Sequence, residues 1–499
     1  MLMQKSLEKL SDAIRGGYPL IYIVSWEEDR VESSLRALMR TLDIKGDFAV
    51  WTSADGLTSS PGETPQAIDP VDALESVLQA DRPGIVLFKD LPDSFEDNPR
   101  LIRKLRDVYY AHKGRGRHVV ILSPGYRLPE PLKKEVHLIE FDLPDEHEIY
   151  EHMAQLLKKI PHRAGLSKEF VKDLSVAMKG LTINEVAHTI AKVLALDIPQ
   201  QEVMDRVFRE KEQIVKKEGI LEFVPPRFSI DEIGGLENLK EWLVRRAHLF
   251  SKKALEENLP VPKGILLMGV SGCGKSLAVK AISSLWKVPL FRLDMNLVFS
   301  GMYGSPESIF HKGLKQLEAM APAVLWIDEI EMGVAGYREG ESTTSSHIFA
   351  HFLTWMQEKD KMVFVAATAN RIHLLPAEII RKGRFDQIFF LDLPNDEERK
   401  EIFSIHITKN GGDPSRFDME FLSISAKGWN GSEIEQVIVA ARVDAFFEKR
   451  AFSHEDVVRN IMKIVPLSKT MESQIKEIKG WAYNRAVPAS RRMSRRTID

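Results

Sequence analysis

Gly269-Val270-Ser271-Gly272-Cys273-Gly274-Lys275-Ser276 is the stretch on which the reading of this chain turns. It meets the pattern G-x-x-x-x-G-K-[ST] at every fixed position. The apolar run Ile265-Leu266-Leu267-Met268 leads into it, and Leu277-Ala278-Val279-Lys280-Ala281-Ile282 follows with helix-compatible residues. That strand-loop-helix order is the setting a phosphate-binding loop requires. Glycines let the backbone wrap around phosphate oxygens, so successive N–H groups and a helix N-terminus face the anion. Lys275 brings a positive charge to the β- and γ-phosphates, and Ser276 offers a hydroxyl to Mg2+. The expected ligands are therefore ATP and Mg2+, with the residues from Gly269 to Leu277 wrapped around the phosphates.

Composition bounds the rest. The chain has 499 residues, too many for one core, so about two to four domains are expected. Charged residues make up 28% and hydrophobic ones 44%, the balance of an ordinary globular protein. A net charge of −3 gives no global drive toward nucleic acid or anionic membrane. The absence of a basic-aromatic stripe also counts against a nucleic-acid motor. Arg491, Arg492, Arg495 and Arg496 crowd the C-terminal end, where a solvated tail is the ordinary outcome. The single cysteine, Cys273, excludes an internal disulfide and a thiolate metal cluster. No apolar run reaches the about 20 residues that a bilayer crossing takes. The N-terminus opens on an amphipathic pattern, not on the unbroken apolar core of a signal peptide. The expected location is cytoplasmic, or the plastid stroma if the chain is plastid-encoded.

Downstream, Val324-Leu325-Trp326-Ile327 runs into Asp328-Glu329. Four consecutive apolar residues suit a strand buried on both faces of a parallel sheet. The two carboxylates then emerge at its C-terminal edge, where open α/β sheets bind ligands. Asp328 is placed to hold the magnesium shell, and Glu329 to orient and deprotonate a water. A third strand, Met362-Val363-Phe364-Val365-Ala366-Ala367-Thr368, leads to Ala369-Asn370-Arg371. Ile379-Ile380-Arg381-Lys382-Gly383-Arg384-Phe385-Asp386 follows.

Together with Asp231-Glu232-Ile233-Gly234-Gly235-Leu236 upstream and Gly428-Trp429-Asn430-Gly431-Ser432-Glu433-Ile434 downstream, this order of motifs resembles the AAA ATPase family over roughly residues 228–450. The resemblance implies an α/β fold: a P-loop AAA+ module with a parallel sheet flanked by helices, and a small helical lid. It implies that Asn370 positions the attacking water, that Ile233 and Gly234 line the adenine pocket, and that Gly431 and Ser432 bring the lid to the nucleoside. It further implies that Arg381 and Arg384 act as arginine fingers in a neighbouring subunit's site. A guanidinium supplied in trans suits phosphoryl transfer, which spreads charge over equatorial oxygens. The implied assembly is a homo-oligomeric ring, a hexamer, acting on an unidentified protein partner.

Two places depart from the family pattern. Many ring-forming relatives carry an aromatic-apolar-glycine pore loop. With Gly304 aligned, Met302 stands where the aromatic belongs and Tyr303 is displaced by one. Tyr303 is thus either a pore contact or a packed loop residue. Cys273 sits inside the phosphate loop, where neighbouring N–H groups and Lys275 would lower its pKa. It reads either as a redox-sensitive thiol or as a small residue that the loop needed.

The first half repeats the second. Phe141-Asp142-Leu143-Pro144-Asp145-Glu146 echoes Leu391-Asp392-Leu393-Pro394-Asn395-Asp396. At nearly the same offset, Leu174-Ser175-Val176-Ala177-Met178-Lys179-Gly180 echoes Leu422-Ser423-Ile424-Ser425-Ala426-Lys427-Gly428. Pro19–Val24, Ile85–Phe88 and Val119–Leu122 take the places of the phosphate-loop, carboxylate and sensor strands. The chemistry is missing: Ser25-Trp26-Glu27-Glu28-Asp29 stands for the loop and Lys89 for the magnesium Asp. A degenerate AAA-like domain unable to bind Mg·ATP is expected; the alternative is a separate α/β domain of unrelated origin. The expected organisation is 1–200 for this domain, 201–227 for a charged helix and Pro linker, 228–395 for the large ATPase domain, 396–462 for the lid and 463–499 for a C-terminal helix and tail. Ile475, Ile478, Trp481 and Ala482 share one face of that helix, which is expected to dock on the lid or on a neighbour. Residues beyond Glu331, with Gly333, Gly336 and Gly340, read as a mobile loop.

Tyr18-Pro19-Leu20-Ile21-Tyr22, the Trp-Glu-Glu after that strand and Pro466-Leu467-Ser468 are similar to a narrower group, the conserved hypothetical chloroplast-frame AAA ATPases of algal plastids and cyanobacteria. That group points toward regulation of photosynthesis or carbon uptake. The expected function is an ATPase ring that remodels or regulates a protein; the alternative is a nucleotide-gated scaffold with slow turnover and no threading.

Overall fold

The computed structural model describes residues 5–59, 69–158, 167–195, 199–217, 219–226, 228–250, 254, 257, 259–299, 305–333, 343–371, 374–381 and 383–491. The chain divides into two compact units, Met1–Asp197 and Ile198–Asp499.

The first unit holds β1 (Leu20–Val24), β2 (Asp47–Thr52), β3 (Gly56–Thr58), β4 (Gly84–Lys89), β5 (Arg117–Ser123) and β6 (Val136–Glu140). They form one sheet in the order β3-β2-β4-β5-β1-β6, parallel except for β3 against β2. Its apolar strands are unbroken because both faces are covered. Leu20, Tyr22, Trp51 and Phe88 pack to one side, and Ile21, Ile23, Ile85 and Leu87 to the other. Three helices, Glu146–Lys158, Lys168–Ala177 and Ile183–Ala195, follow the sheet.

The second unit holds β7 (Leu221–Val224), β8 (Gly264–Gly269), β9 (Leu290–Leu293), β10 (Ala323–Ile327), β11 (Val363–Ala369), β12 (Gln387–Leu391) and β13 (Val487–Pro488). Their order is β13-β12-β8-β11-β10-β9-β7, parallel except for β7 against β9. Read from the antiparallel edge, the two sheets match strand for strand: β1 stands for β8, β4 for β10, β5 for β11 and β6 for β12. The repeat seen in the sequence is therefore a repeat of topology. Leu266, Met268 and Leu325 face one core; Ile265, Leu267 and Trp326 face the other.

Helices Asp396–Lys409, Met419–Ser425, Gly431–Phe447 and His454–Ile461 build the lid around Phe403, Leu422, Trp429 and Ile438. A capping box starts its third helix: Asn430 Oδ1 accepts from Glu433 N–H (2.9 Å), and Glu433 Oε2 accepts from Asn430 N–H (2.8 Å).

Two expectations about connecting segments change. The stretch expected as a linker belongs to the second unit: Val203, Val207, Val215 and Lys211 of helix Gln200–Lys217 are buried, and β7 closes the sheet edge. Charge runs mark solvated faces in most helices, and here they hid the apolar face of this one. The C-terminal helix Glu472–Ala482 does not settle on the lid. Ile478, Trp481 and Ala482 pack against the core of the large parallel sheet, and the chain continues as β13 beside β12. Arg491, expected in a loose tail, pairs with Glu241 (2.9 Å), and its N–H donates to Glu237.

Candidate active site

The loop after β8 has the backbone that the glycines were expected to allow. Gly272 (φ +77) and Gly274 (φ +88) are in the left-handed region. A Cβ on Gly272 would lie 2.7 Å from the Asn430 side chain, so only glycine lets the lid reach the loop. Ser432 N–H donates to the Gly272 carbonyl at 3.1 Å. Lys275 opens helix Lys275–Trp286 and is buried. Its Nζ donates to the carbonyls of Gly269 (2.9 Å) and Val270 (2.8 Å). Burial lowers its pKa, against the pull of Cys273, Glu331, Asp328 and Glu329.

Cys273 is half-buried and lines the cavity described below. Burial pushes its thiol up to about 12, and Lys275 only partly offsets this. The reactive species is the thiolate, so this shift favours the reading of Cys273 as a small residue of the loop over the redox one.

At the sheet edge, five side chains lock into a corner. Thr368 Oγ1 donates to Asp328 Oδ1 (2.5 Å) and accepts from Glu329 N–H (3.0 Å). Glu329 is left-handed (φ +47), a conformation that costs a non-glycine residue about 1–2 kcal/mol. Asn370 Nδ2 donates to Glu329 Oε1 at 2.9 Å. Glu331 Oε1 accepts the N–H groups of Asn370 (2.8 Å) and Arg371 (3.0 Å).

A cavity of about 490 Å³ joins these parts. Ser271, Gly272, Cys273, Gly274, Lys275, Ser276, Leu277, Asp328, Glu329, Asn370, Ile233, Gly234, Gly431 and Ser432 line it; Gly269 and Val270 do not. A Cβ on Gly234 would meet Ile402 Cγ1 at 2.7 Å, so the adenine loop packs directly on the first lid helix. Glu401 Oε2 accepts from Gly235 N–H (2.8 Å), and Lys409 pairs with Glu232. Arg381 is exposed and Arg384 half-buried. Neither lines the cavity, and Arg384 Nη1 donates to the Glu378 carbonyl of its own chain. Met302, Tyr303 and Gly304 lie outside the described residues, as does 334–342 within the expected mobile loop.

Sequence reasoning missed Thr368, Ile402, His406 and Ser490 in the lining. Ile402 and His406 sit one turn apart on helix Asp396–Lys409, a spacing that amphipathic helices share generally. Burial lowers the His406 pKa. Ser490 arrives only because β13 carries the C-terminus back to the core, which no local motif announces.

The matching place in the first unit is built with opposite charges. Glu27 follows β1 and is 4% exposed. Its Oε1 accepts the N–H of Ile183 (2.7 Å), which opens the helix standing for the third lid helix. Arg30 bridges Glu27, the Asp142 carbonyl (2.8 Å) and Glu148 (2.9 Å). Lys89 pairs with Glu28 and Glu32, each at 3.2 Å.

Comparisons agree with this layout. Residues 265–393 match the ATPase family associated with various cellular activities (AAA), and residues 6–141 match the SpoVK-like AAA ATPase N-terminal domain. An uncharacterized AAA domain-containing protein, ycf46, of Pyropia yezoensis is 38% identical over 475 residues, 94% of this chain and 96% of its own. This chain belongs to the AAA ATPase family. A ycf46 protein of Gracilaria tenuistipitata is 37% identical over 470 residues, 93% of this chain and 95% of its own. A proteasome-activating nucleotidase of Saccharolobus islandicus is 29% identical over 311 residues, 59% of this chain and 78% of its own. This AAA chain has, among its described residues, no helix long and apolar enough to cross a membrane.

The family implies Mg2+, and the residues present fit it. The Asp328 carboxylate and Ser276 share the cavity. Among the described residues, no three His, Cys, Asp or Glu side chains cluster as a metal cage. One carboxylate and a hydroxyl, completed by substrate phosphates, is the ordinary Mg2+ arrangement.

Proposed function

We propose that this AAA protein hydrolyses ATP in its second unit, within a homo-oligomeric ring, and uses the turnover to remodel or regulate a protein partner. The observation that supports this best is convergence. Lys275, Ser276, Asp328, Glu329 and Asn370 come from three separate chain segments and line one cavity.

In this reading Lys275 neutralises the β- and γ-phosphates. Ser276 and Asp328 hold Mg2+, which when bound offsets charge on the phosphate oxygens. Glu329 takes the proton of the attacking water, and Asn370 fixes that water against the terminal phosphate. Asn430, Gly431 and Ser432 rest on the phosphate loop, so occupancy of the cavity reaches the lid. Arg381 supplies charge to a neighbouring copy; it is exposed, whereas Arg384 is engaged with Glu378.

Two inactive proteins test the ring. Lys275→Ala removes the phosphate contact and Arg381→Ala removes the donated charge. Mixed, they should regain a fraction of wild-type turnover, because intact sites of one then meet intact arginines of the other. No recovery in the mixture, with each protein shown to assemble, counts against donation in trans. Glu329→Gln in ATP should retain nucleotide and carry a partner through affinity purification. Loss of that partner when Lys275→Ala is used instead ties capture to ATP.

A further inference from the structure

We infer that Glu331 and Thr368 are positioning residues for hydrolysis: buried braces that fix the corner formed by Glu329 and Asn370. This rests on the ATPase reading above.

Glu331 lies outside the motifs that mark the site in the sequence, and Thr368 enters them only as the end of a strand, with no role of its own. Glu331 is 1% exposed and Thr368 1% exposed, so neither is a solvated surface group. Glu331 Oε1 takes the two backbone N–H groups at the Asn370-Arg371 turn (2.8 and 3.0 Å). Those donors leave the end of β11 and have no strand partner to satisfy them. Glu331 Oε2 is buried without a hydrogen bond, and an unsatisfied buried polar atom costs about 1–3 kcal/mol. Thr368 uses a single hydroxyl twice, donating to Asp328 and accepting from the N–H of left-handed Glu329. Asn370 then reaches Glu329 through its own amide. The result is a continuous chain of hydrogen bonds, Asp328-Thr368-Glu329-Asn370-Glu331, in which Thr368 and Glu331 hold the backbone on either side of the Glu329–Asn370 contact.

The first unit supplies an internal control. Its corner keeps the backbone: Asp90, standing for Glu329, is also left-handed (φ +54). Lys89 pairs with Leu122 across β4 and β5, the place that Asp328 and Thr368 hold in the second unit. Thus Thr368 is replaced by Leu122, and by the same count Glu331 by Pro92 and Asn370 by Pro124. Where the phosphate chemistry is gone, both braces are gone, although the fold remains. A purely structural need for them would have persisted.

Four variants test this in the full-length protein: Glu331→Ala, Glu331→Gln, Thr368→Val and Thr368→Ser. Glutamine keeps the acceptor oxygen and serine keeps the hydroxyl. Glu331→Ala and Thr368→Val should lower kcat about 10–100-fold, the scale of a misplaced catalytic group, with ATP Kd within about threefold. Glu331→Gln and Thr368→Ser should restore kcat to within about fivefold of wild type. In nucleotide-free protein, amide exchange over 368–371 should rise in Glu331→Ala and not in Glu331→Gln. Unchanged kcat in Glu331→Ala and Thr368→Val overturns the inference. So does glutamine as inactive as alanine, or ATP affinity falling in step with kcat. If Glu331→Ala does not fold, the Thr368 pair and Glu331→Gln decide it. A wild type that does not hydrolyse ATP sinks the ATPase reading instead, while the exchange measurement still reports on the brace.

Discussion

The two units share a sheet order and differ in the sign of their charge at the same place. In the second unit a buried lysine opens the helix after the central strand, and an aspartate follows β10. In the first, a buried carboxylate, Glu27, follows the central strand, and Lys89 ends β4. The second unit therefore offers its helix N-termini and lysine to an anion from outside. The first has built the anion in: Glu27 accepts from the N-terminus of helix Ile183–Ala195 and pairs with Arg30. In the first unit the helix that stands for the third lid helix is held by the chain's own carboxylate. Topology alone does not carry the chemistry.

The contrast can be broken most sharply by charge removal. Lys275→Ala should weaken ATP binding at least about 100-fold, whereas Lys89→Ala should leave it unchanged in equilibrium titration. An equal loss in both would mean that the first unit also binds. Next, Glu329→Gln should cut turnover about 10²–10³-fold with ATP still bound, as loss of a positioned base does, while Asp90→Asn leaves steady-state turnover intact. Glu27→Ala should destabilise the first unit by about 1–3 kcal/mol, because the buried Ile183 N–H loses its acceptor and Arg30 loses one of its partners. Denaturant melts followed by amide exchange should place that loss in residues 5–195 and not in the ATPase unit.

The smallest effect is one of pH, and its sign differs between the units. Burial holds the Glu27 carboxyl above its ordinary value of 4.5. A raised folded pKa means that its contribution is full below 4.5 and is lost as pH rises through the folded value. The Arg450 guanidinium, bonded to Asp456, holds that carboxyl well below its ordinary value of 3.8. Its contribution to the lid is full above 3.8 and is lost as pH falls. Acidification from pH 7 toward about 5 should raise exchange protection around Glu27 and leave the lid unaltered. Further acidification below about 4 should loosen the lid. Both are read after correction for the intrinsic exchange rate.

Much of this was legible in the sequence where residue type and spacing dictate chemistry. The phosphate loop, the Asp328-Glu329 edge, the Asn370 turn and the repeated strands all belong to that class. In the sequence Glu27 shows only that the phosphate loop is missing; its burial and its bond to the Ile183 N–H depend on a helix far along the chain. Thr368 and Glu331 look like an ordinary strand end and an ordinary acidic residue until the sheet register brings them to Glu329 and Asn370. Helix Gln200–Lys217 was misread because its charges outnumber its buried valines, and the C-terminal strand because two residues carry no periodicity. Cys273 leaves two readings open in the sequence because its surroundings, not its neighbours along the chain, set its pKa.

The most direct measurement is the binding stoichiometry of ATP with Mg2+ on the full-length chain, by titration calorimetry of Glu329→Gln so that nucleotide is not consumed. One nucleotide per chain, lost entirely on adding Lys275→Ala and untouched by Glu27→Ala, is the predicted result. Two per chain, or one that survives Lys275→Ala, would contradict the division of labour between the two units.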